Sequence, residues 1–381
     1  MSAQEKVSKQ PPYKMLALDG GGIRGVMSLE VLAGIQALLQ QKLGRGNDFV
    51  LADYFDYISG TSTGAIIATF LSLGWRVEKI LQFYRDAGPA MFAKADLLKR
   101  FRYKFEDEAL AEMLRQQLGP DTTLGSDTLR TLLMIVLRNA TTDSPWPVSN
   151  NPRAKYNDPA RPDSNLKLPL WQLVRASTAA PTYFPPETVK VGTKEYVFVD
   201  GGVTMYNNPA FQMFLMATVP AYRLSWPTGA DKMLVVSIGT GTSPGANENL
   251  APGEMNLLYN ASSIPSALMF AASSEQDFLC RVFGDCRCGE AIDREVGSLV
   301  GPVDPLPDGR IPWPTHPKLF TYMRYNAELT AKGLESIGVP ASIKPEWVQQ
   351  MDSVDHIEDL RAVGKAVVTT HVRPEHFAGF L

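Results

Sequence analysis

Met15-Leu16-Ala17-Leu18-Asp19-Gly20-Gly21-Gly22-Ile23-Arg24-Gly25 reads as a short buried strand running into a glycine turn. After it, Leu29, Leu32, Ile35, Leu38 and Leu39 recur at helical spacing, which predicts a helix over Val26 to Gln41. The same order returns downstream. Tyr54 to Ile58 is a second apolar strand, Gly60-Thr61-Ser62-Thr63-Gly64 a second glycine-flanked turn, and Ala65 to Leu73 the helix behind it. Further strands are expected at Thr131 to Leu137, Tyr196 to Val199 and Lys232 to Ile238. Helices are expected at Arg76 to Ala87, Glu106 to Leu118 and Leu170 to Ser177, and a buried one at Pro209 to Val219. Asp143 to Pro169, rich in Pro, Asn, Asp and Ser, reads as a long loop. Strands that alternate with helices make an α/β fold, a mostly parallel sheet covered by helices on both faces. No linker stands out, so one main domain is expected over 13–255. A mostly helical C-terminal extension over 256–381 should pack on it.

The chain has 381 residues, 45% of them hydrophobic, with 37 basic and 40 acidic side chains for a net charge of −3. That balance offers no clustered positive charge for a nucleic-acid polymer. Cys280, Cys286 and Cys288 are too few and too close for a disulfide framework, and their spacing suits no zinc hairpin. They read as free thiols of a reducing compartment. Met1 to Pro12 is polar and has no signal-peptide core. No run is read as approaching the roughly 20 apolar residues of a membrane span. The expected setting is the cytoplasm, with any membrane contact peripheral.

Three motifs carry chemistry. Gly60-Thr61-Ser62-Thr63-Gly64 is a G-x-S-x-G turn between a strand and a helix, where a nucleophilic serine must stand on strained backbone. Its plain alternative is a Ser/Thr turn that caps a helix. Gly20, Gly22 and Gly25 satisfy G-x-G-x-x-G. Such a loop can cradle the pyrophosphate of NAD or FAD, making the chain a dinucleotide-binding module, or turn its amides on an oxyanion. The next strand leads to Ser62 and not to a ribose-binding carboxylate, which favours the oxyanion hole. Asp200-Gly201-Gly202 follows the strand Tyr196 to Val199 and puts a carboxylate where burial can raise its pKa into the range of a base. Its plain alternative is a turn. The histidines, His316, His356, His371 and His376, sit in no comparable turn. The reading is therefore a two-residue Ser-Asp device.

These motifs, in this order, resemble the patatin-like phospholipase family. Arg175-Ala176-Ser177-Thr178-Ala179-Ala180-Pro181-Thr182-Tyr183-Phe184-Pro185-Pro186 is similar to the family's segment before its aspartate. Ser237-Ile238-Gly239-Thr240-Gly241-Thr242 is similar to the strand and loop after it, and Tyr322-Met323-Arg324-Tyr325 bears a further likeness. The resemblance covers about Tyr13 to Thr242. It implies a modified α/β-hydrolase sheet, with 13–255 the catalytic domain, and a Ser62–Asp200 dyad that needs no histidine, calcium or other cofactor. The amides of Gly21 and Gly22, within the cluster Gly20, Gly21, Gly22 and Thr63, would line the oxyanion hole. Arg24 would meet a lipid phosphate or support the loop. The implied substrate is a membrane phospholipid. Some bacterial members are antiphage effectors switched on by a cyclic nucleotide, so such an activator is a second expectation.

Overall fold

A computed structural model of the chain describes residues 3–92, 103–181, 184–244, 257–293, 295–301 and 317–381. The strands are β1 (Tyr13–Leu18), β2 (Tyr57–Thr61), β3 (Leu132–Asn139), β4 (Ser144–Ser149), β5 (Glu187–Val191), β6 (Lys194–Asp200), β7 (Met233–Ile238), β8 (Gly284–Cys288) and β9 (Phe320–Tyr325). The first helices are α1 (Ala3–Val7), α2 (Gly25–Lys42), α3 (Leu51–Tyr54), α4 (Thr63–Ser72), α5 (Val77–Phe92) and α6 (Tyr103–Leu118). They are followed by α7 (Leu170–Ser177), α8 (Ala210–Thr218), α9 (Leu257–Phe283), α10 (Ala331–Ser336), α11 (Pro345–Gln349) and α12 (Ile357–His371).

Among the described residues the strands form one nine-stranded sheet, ordered β5-β6-β3-β2-β1-β7-β9-β8, with β4 also on β3. Pairings β3–β2, β2–β1, β1–β7, β7–β9 and β9–β8 are parallel, and those of β4, β5 and β6 antiparallel. The fold is α/β with a mostly parallel sheet. Alternation along the strands feeds two cores. Leu16, Leu18, Ile58, Leu133, Ile135, Leu234 and Val236 face the α2, α4 and α12 side, and Met15, Ala17, Tyr57, Met134, Val136 and Val235 face α8.

The register along β3 brings two distant chain ends together. β4 occupies one edge of β3 from Met134 to Asn139. On the other edge β2 runs parallel to β3 and ends with Thr61 opposite Val136. The antiparallel β6 takes over there, with Asp200 opposite Leu137. The residue after β2 and the last residue of β6 therefore meet head to head.

Several expectations are corrected. β2 starts later than expected because Leu51–Tyr54 forms the turn α3. The loop from Asp143 contains β4, whose Pro145 and Pro147 are tolerated because β4 pairs on one side only. The segment after 256 is helical in α9 to α12, but it also contributes β8 and β9 to the sheet, β9 pairing with β7. The stretch Gly22–Lys42 is long and apolar enough by composition to cross a membrane, contrary to the reading that no run approaches that length. It is mostly buried here and forms the core helix α2, packed under α12, where Gly34 meets Val368 and Glu30 pairs with Arg361.

Candidate active site

Ser62 joins β2 to α4 with φ 55° and ψ −124°, a left-handed conformation that a side chain adopts only under constraint. The turn fits because its flanking glycines let backbone pass backbone. A Cβ on Gly60 would stand 2.0 Å from the Gly64 carbonyl oxygen, and one on Gly64 2.3 Å from that of Leu18. The constraint comes from α7. The Ser62 amide donates to Ser177 Oγ at 2.9 Å, and Ser177 Oγ donates to the Val136 carbonyl at 2.7 Å.

Ser62 Oγ donates to Asp200 Oδ2 at 2.7 Å. Asp200 Oδ1 accepts from the Gly202 amide at 2.6 Å, and the Asp200 amide donates to the Ala179 carbonyl at 2.9 Å. The end of α7, at Ser177, and the turn just after it, at Ala179, thus grip both residues. Burial raises the Asp200 carboxyl to about 6, while the bonds from Ser62 and Gly202 and the charge of the buried Arg175 hold it from rising further. A carboxylate so tuned can accept a hydroxyl proton near neutral pH.

The glycine loop lies against this pair. A Cβ on Gly20 would come within 3.3 Å of Ser62 Cβ. The amides of Gly21 and Gly22 have no acceptor among the described residues, and neither has that of Thr63, the first residue of α4. The Gly20 amide differs from the other three. It donates to the Asn207 carbonyl at 3.1 Å, so it has no hydrogen left for an oxyanion. Gly22 has φ 60° and closes against the Met351 carbonyl, which also accepts from the Ile23 amide at 2.9 Å. Arg24 is half-buried and ties the loop to the C-terminal segment, donating to the carbonyls of Gly21 at 3.4 Å and Gln349 at 3.2 Å. Burial lowers its pKa to about 10. These contacts are those of a loop support.

A sequence model of the family described as Patatin-like phospholipase matches residues 16–214, more than half of the chain and all three motifs. The chain belongs to this patatin-like phospholipase family. Patatin-17 of Solanum cardiophyllum is 30% identical over 246 residues, 60% of each chain. Patatin-01 of Solanum tuberosum is 29% identical over the same span. The aligned span is thus about 60% of the length of the curated relatives it matches. Among solved structures, the human GIVD cytosolic phospholipase A2 aligns with 96% of this chain and 60% of its own, at 14% identity and a TM-score of 0.45. VipD from Legionella pneumophila aligns with 92% of this chain and 67% of its own, at 14% identity and a TM-score of 0.35.

Sequence reading missed the residues that hold this patatin-like site in place. Ser177 lay inside a quoted segment, but its partners are 115 and 41 residues away. Asp19, at the end of β1, receives a two-pronged bond from Arg324 of β9 at 2.9 and 2.5 Å, both side chains buried. Arg324 also donates to Ser237 Oγ at 2.7 Å. Among the histidines, His356 bonds Asp359 and His376 bonds Tyr325. His316, with Thr182 and Tyr183 of the quoted segment, lies outside the described residues. Cys280, Cys286 and Cys288 are unpaired and buried, and burial pushes their thiols up.

Proposed function

We propose that the chain is a serine acyl hydrolase of phospholipase A type, cleaving fatty-acyl esters of membrane phospholipids with Ser62 as nucleophile and Asp200 as base. The observation that carries this is the 2.7 Å hydrogen bond from Ser62 Oγ to a buried Asp200, at a strained serine between a strand and a helix. Ser62 Oγ attacks the ester carbonyl as its proton passes to Asp200. The amides of Gly21, Gly22 and Thr63 receive the oxyanion, aided by the dipole of α4. Asp200 returns the proton to the departing alcohol, and water then releases the acyl group. Arg24 supports the loop in this scheme.

A lipid substrate is favoured by the apolar side chains at the rim. Val203 and Met205, just after Asp200, are exposed, as are Leu268 and Phe270 on α9, whose Met269 methyl reaches the Gly202 position. Such a rim suits peripheral contact with a bilayer. The three unpaired cysteines favour a reducing compartment, so we assign the contact to the cytoplasmic face. Fatty-acid release from vesicles of mixed phospholipids, by wild type and Ser62→Ala in parallel, tests the proposal. The expected loss in the variant is on the order of 10³-fold or more. Undiminished release by Ser62→Ala would falsify it.

A further inference from the structure

α5 places a phenol hydroxyl behind the turn that carries Ser62. Tyr84 and Thr63 are both fully buried. Tyr84 Oη donates to the Thr63 carbonyl at 3.0 Å and lies 2.5 Å from Thr63 Oγ1. A phenol has one proton to give. With the carbonyl as its acceptor, the second bond runs from Thr63 Oγ1 to Tyr84 Oη. Burial raises the Tyr84 pKa, so the phenol keeps that proton throughout the neutral range. The two bonds hold the Thr63 side chain in one rotamer and tie the first turn of α4 to α5. The side chain so held presses on the glycine loop. A Cβ on Gly25 would stand 2.5 Å from Thr63 Oγ1, 3.2 Å from Thr63 Cγ2 and 3.3 Å from Tyr84 Cε1. Gly25 opens α2 and ends the loop that carries the Gly21 and Gly22 amides. One turn along the same face of α5, a Cβ on Gly88 would come within 2.8 Å of Ile23 Cδ1, in that loop. Thr63 directly follows Ser62. The Thr63–Tyr84 pair is therefore a contact between the nucleophile turn and the glycine loop, and α5 touches both.

We propose that Tyr84 is a positioning residue for the oxyanion hole: its hydroxyl, acting through Thr63, sets how the Gly21 and Gly22 amides stand to the carbon that Ser62 attacks. This rests on the assignment of Ser62 as nucleophile and of the glycine loop as its oxyanion hole. Tyr84 touches no reacting atom. Without its hydroxyl the Thr63 side chain is free to turn, and Gly25 loses the fixed surface it rests on. The two amides then drift from an oxygen that needs donors at about 2.7–3.1 Å. A ground-state ester carries little charge on that oxygen and is bound as before. The tetrahedral intermediates of acylation and of deacylation carry a full charge there and lose stabilisation alike.

Tyr84→Phe keeps the ring and removes the hydroxyl, and the full chain carrying it is read in two ways. In hydrolysis of a long-chain p-nitrophenyl ester, kcat should fall about tenfold, the worth of one hydrogen bond. KM should not change, because both chemical steps pass through the same hole. The second reading is inhibition by a long-chain alkyl trifluoromethyl ketone. Ser62 Oγ adds to its carbonyl carbon, the serine proton passes to Asp200, and the ketone oxygen becomes an oxyanion. Its Ki should rise by the same factor, while that of the matching methyl ketone, which stays trigonal, should not move. The pH midpoint of hydrolysis, set by Asp200, should stay near 6. A hydroxyl with a purely structural role would lower the melting temperature and leave kcat and both Ki values where they were. If Tyr84→Phe does not fold, Thr63→Val removes the Oγ1 side of the pair and is read in the same way. Unchanged kcat and Ki in a folded variant overturn the proposal, and so does a rise in KM at constant kcat. A displaced pH midpoint overturns it too, since the damage would then lie in the dyad. A wild-type chain that neither cleaves the ester nor binds the trifluoromethyl ketone instead removes the nucleophile assignment, and this inference with it.

Discussion

At the scale of single residues, Asp200 is the most exacting case. Its carboxyl lies near 6 because it is buried, against about 3.9 in an unfolded chain. Between those values the folded protein holds a proton that the unfolded chain has released. Protonation therefore stabilises the fold, and this contribution is complete below pH 4 and lost as pH rises through 6. Ester hydrolysis, which needs the ionised form, should decline as pH falls through about 6. Asp200→Asn should nearly abolish turnover yet melt later than wild type at pH 8, by about 3 kcal/mol, the two converging near pH 4. Thermal unfolding across that range checks it, and an Asn variant less stable at pH 8 would contradict the burial argument. Ser62 and Asp200 could be picked from sequence because each sits beside the glycines its turn requires. Tyr84 could not, since nothing local distinguishes it from the other buried residues of its helix.

At the scale of elements, the geometry of the proposed dyad is a matter of how β3 is shared. β2 leaves one edge of β3 at Val136 and β6 arrives at Leu137, which brings Ser62 and Asp200 together. The end of α7 and the turn after it then lock them, Ser177 Oγ accepting from the Ser62 amide and the Ala179 carbonyl from the Asp200 amide. Ser177→Ala should lower kcat roughly tenfold, the effect of one lost hydrogen bond, with KM unchanged. Steady-state kinetics decide this, and a rise in KM at constant kcat would contradict a role in holding the nucleophile. β1, β2, β3, β6 and β7 and the helices beside them were legible because apolar runs and helical spacing are local signals. β4 was not, because prolines on an edge strand look the same in sequence as prolines in a loop. Nor were β8 and β9, whose pairing is set by partners far along the chain.

At the scale of the whole molecule, the C-terminal segment is part of the sheet that carries the proposed dyad. β9 pairs with β7 and carries Arg324 to Asp19, the residue that leads into the glycine loop. Met351 and Gln349 close on Gly22 and Arg24 from the same segment. The boundary expected at residue 255 leaves strands of the one sheet on both sides of it. Removing one partner of a buried ion pair strands the other, so Arg324→Ala should cost about 3–5 kcal/mol of stability. Denaturant unfolding measures this, and a loss below 1 kcal/mol would mean that the pair does not hold the loop. Tyr322-Met323-Arg324-Tyr325 stood out in the sequence, but the partner that explains it lies 305 residues away.

The account stands on Ser62 as the nucleophile. A fluorophosphonate probe, followed by peptide mass spectrometry of the labelled chain, addresses this most directly. The prediction is a single adduct on the peptide carrying Ser62, absent from Ser62→Ala and strongly slowed in Asp200→Asn. An adduct on another residue, or labelling of Ser62→Ala at the wild-type rate, would contradict it.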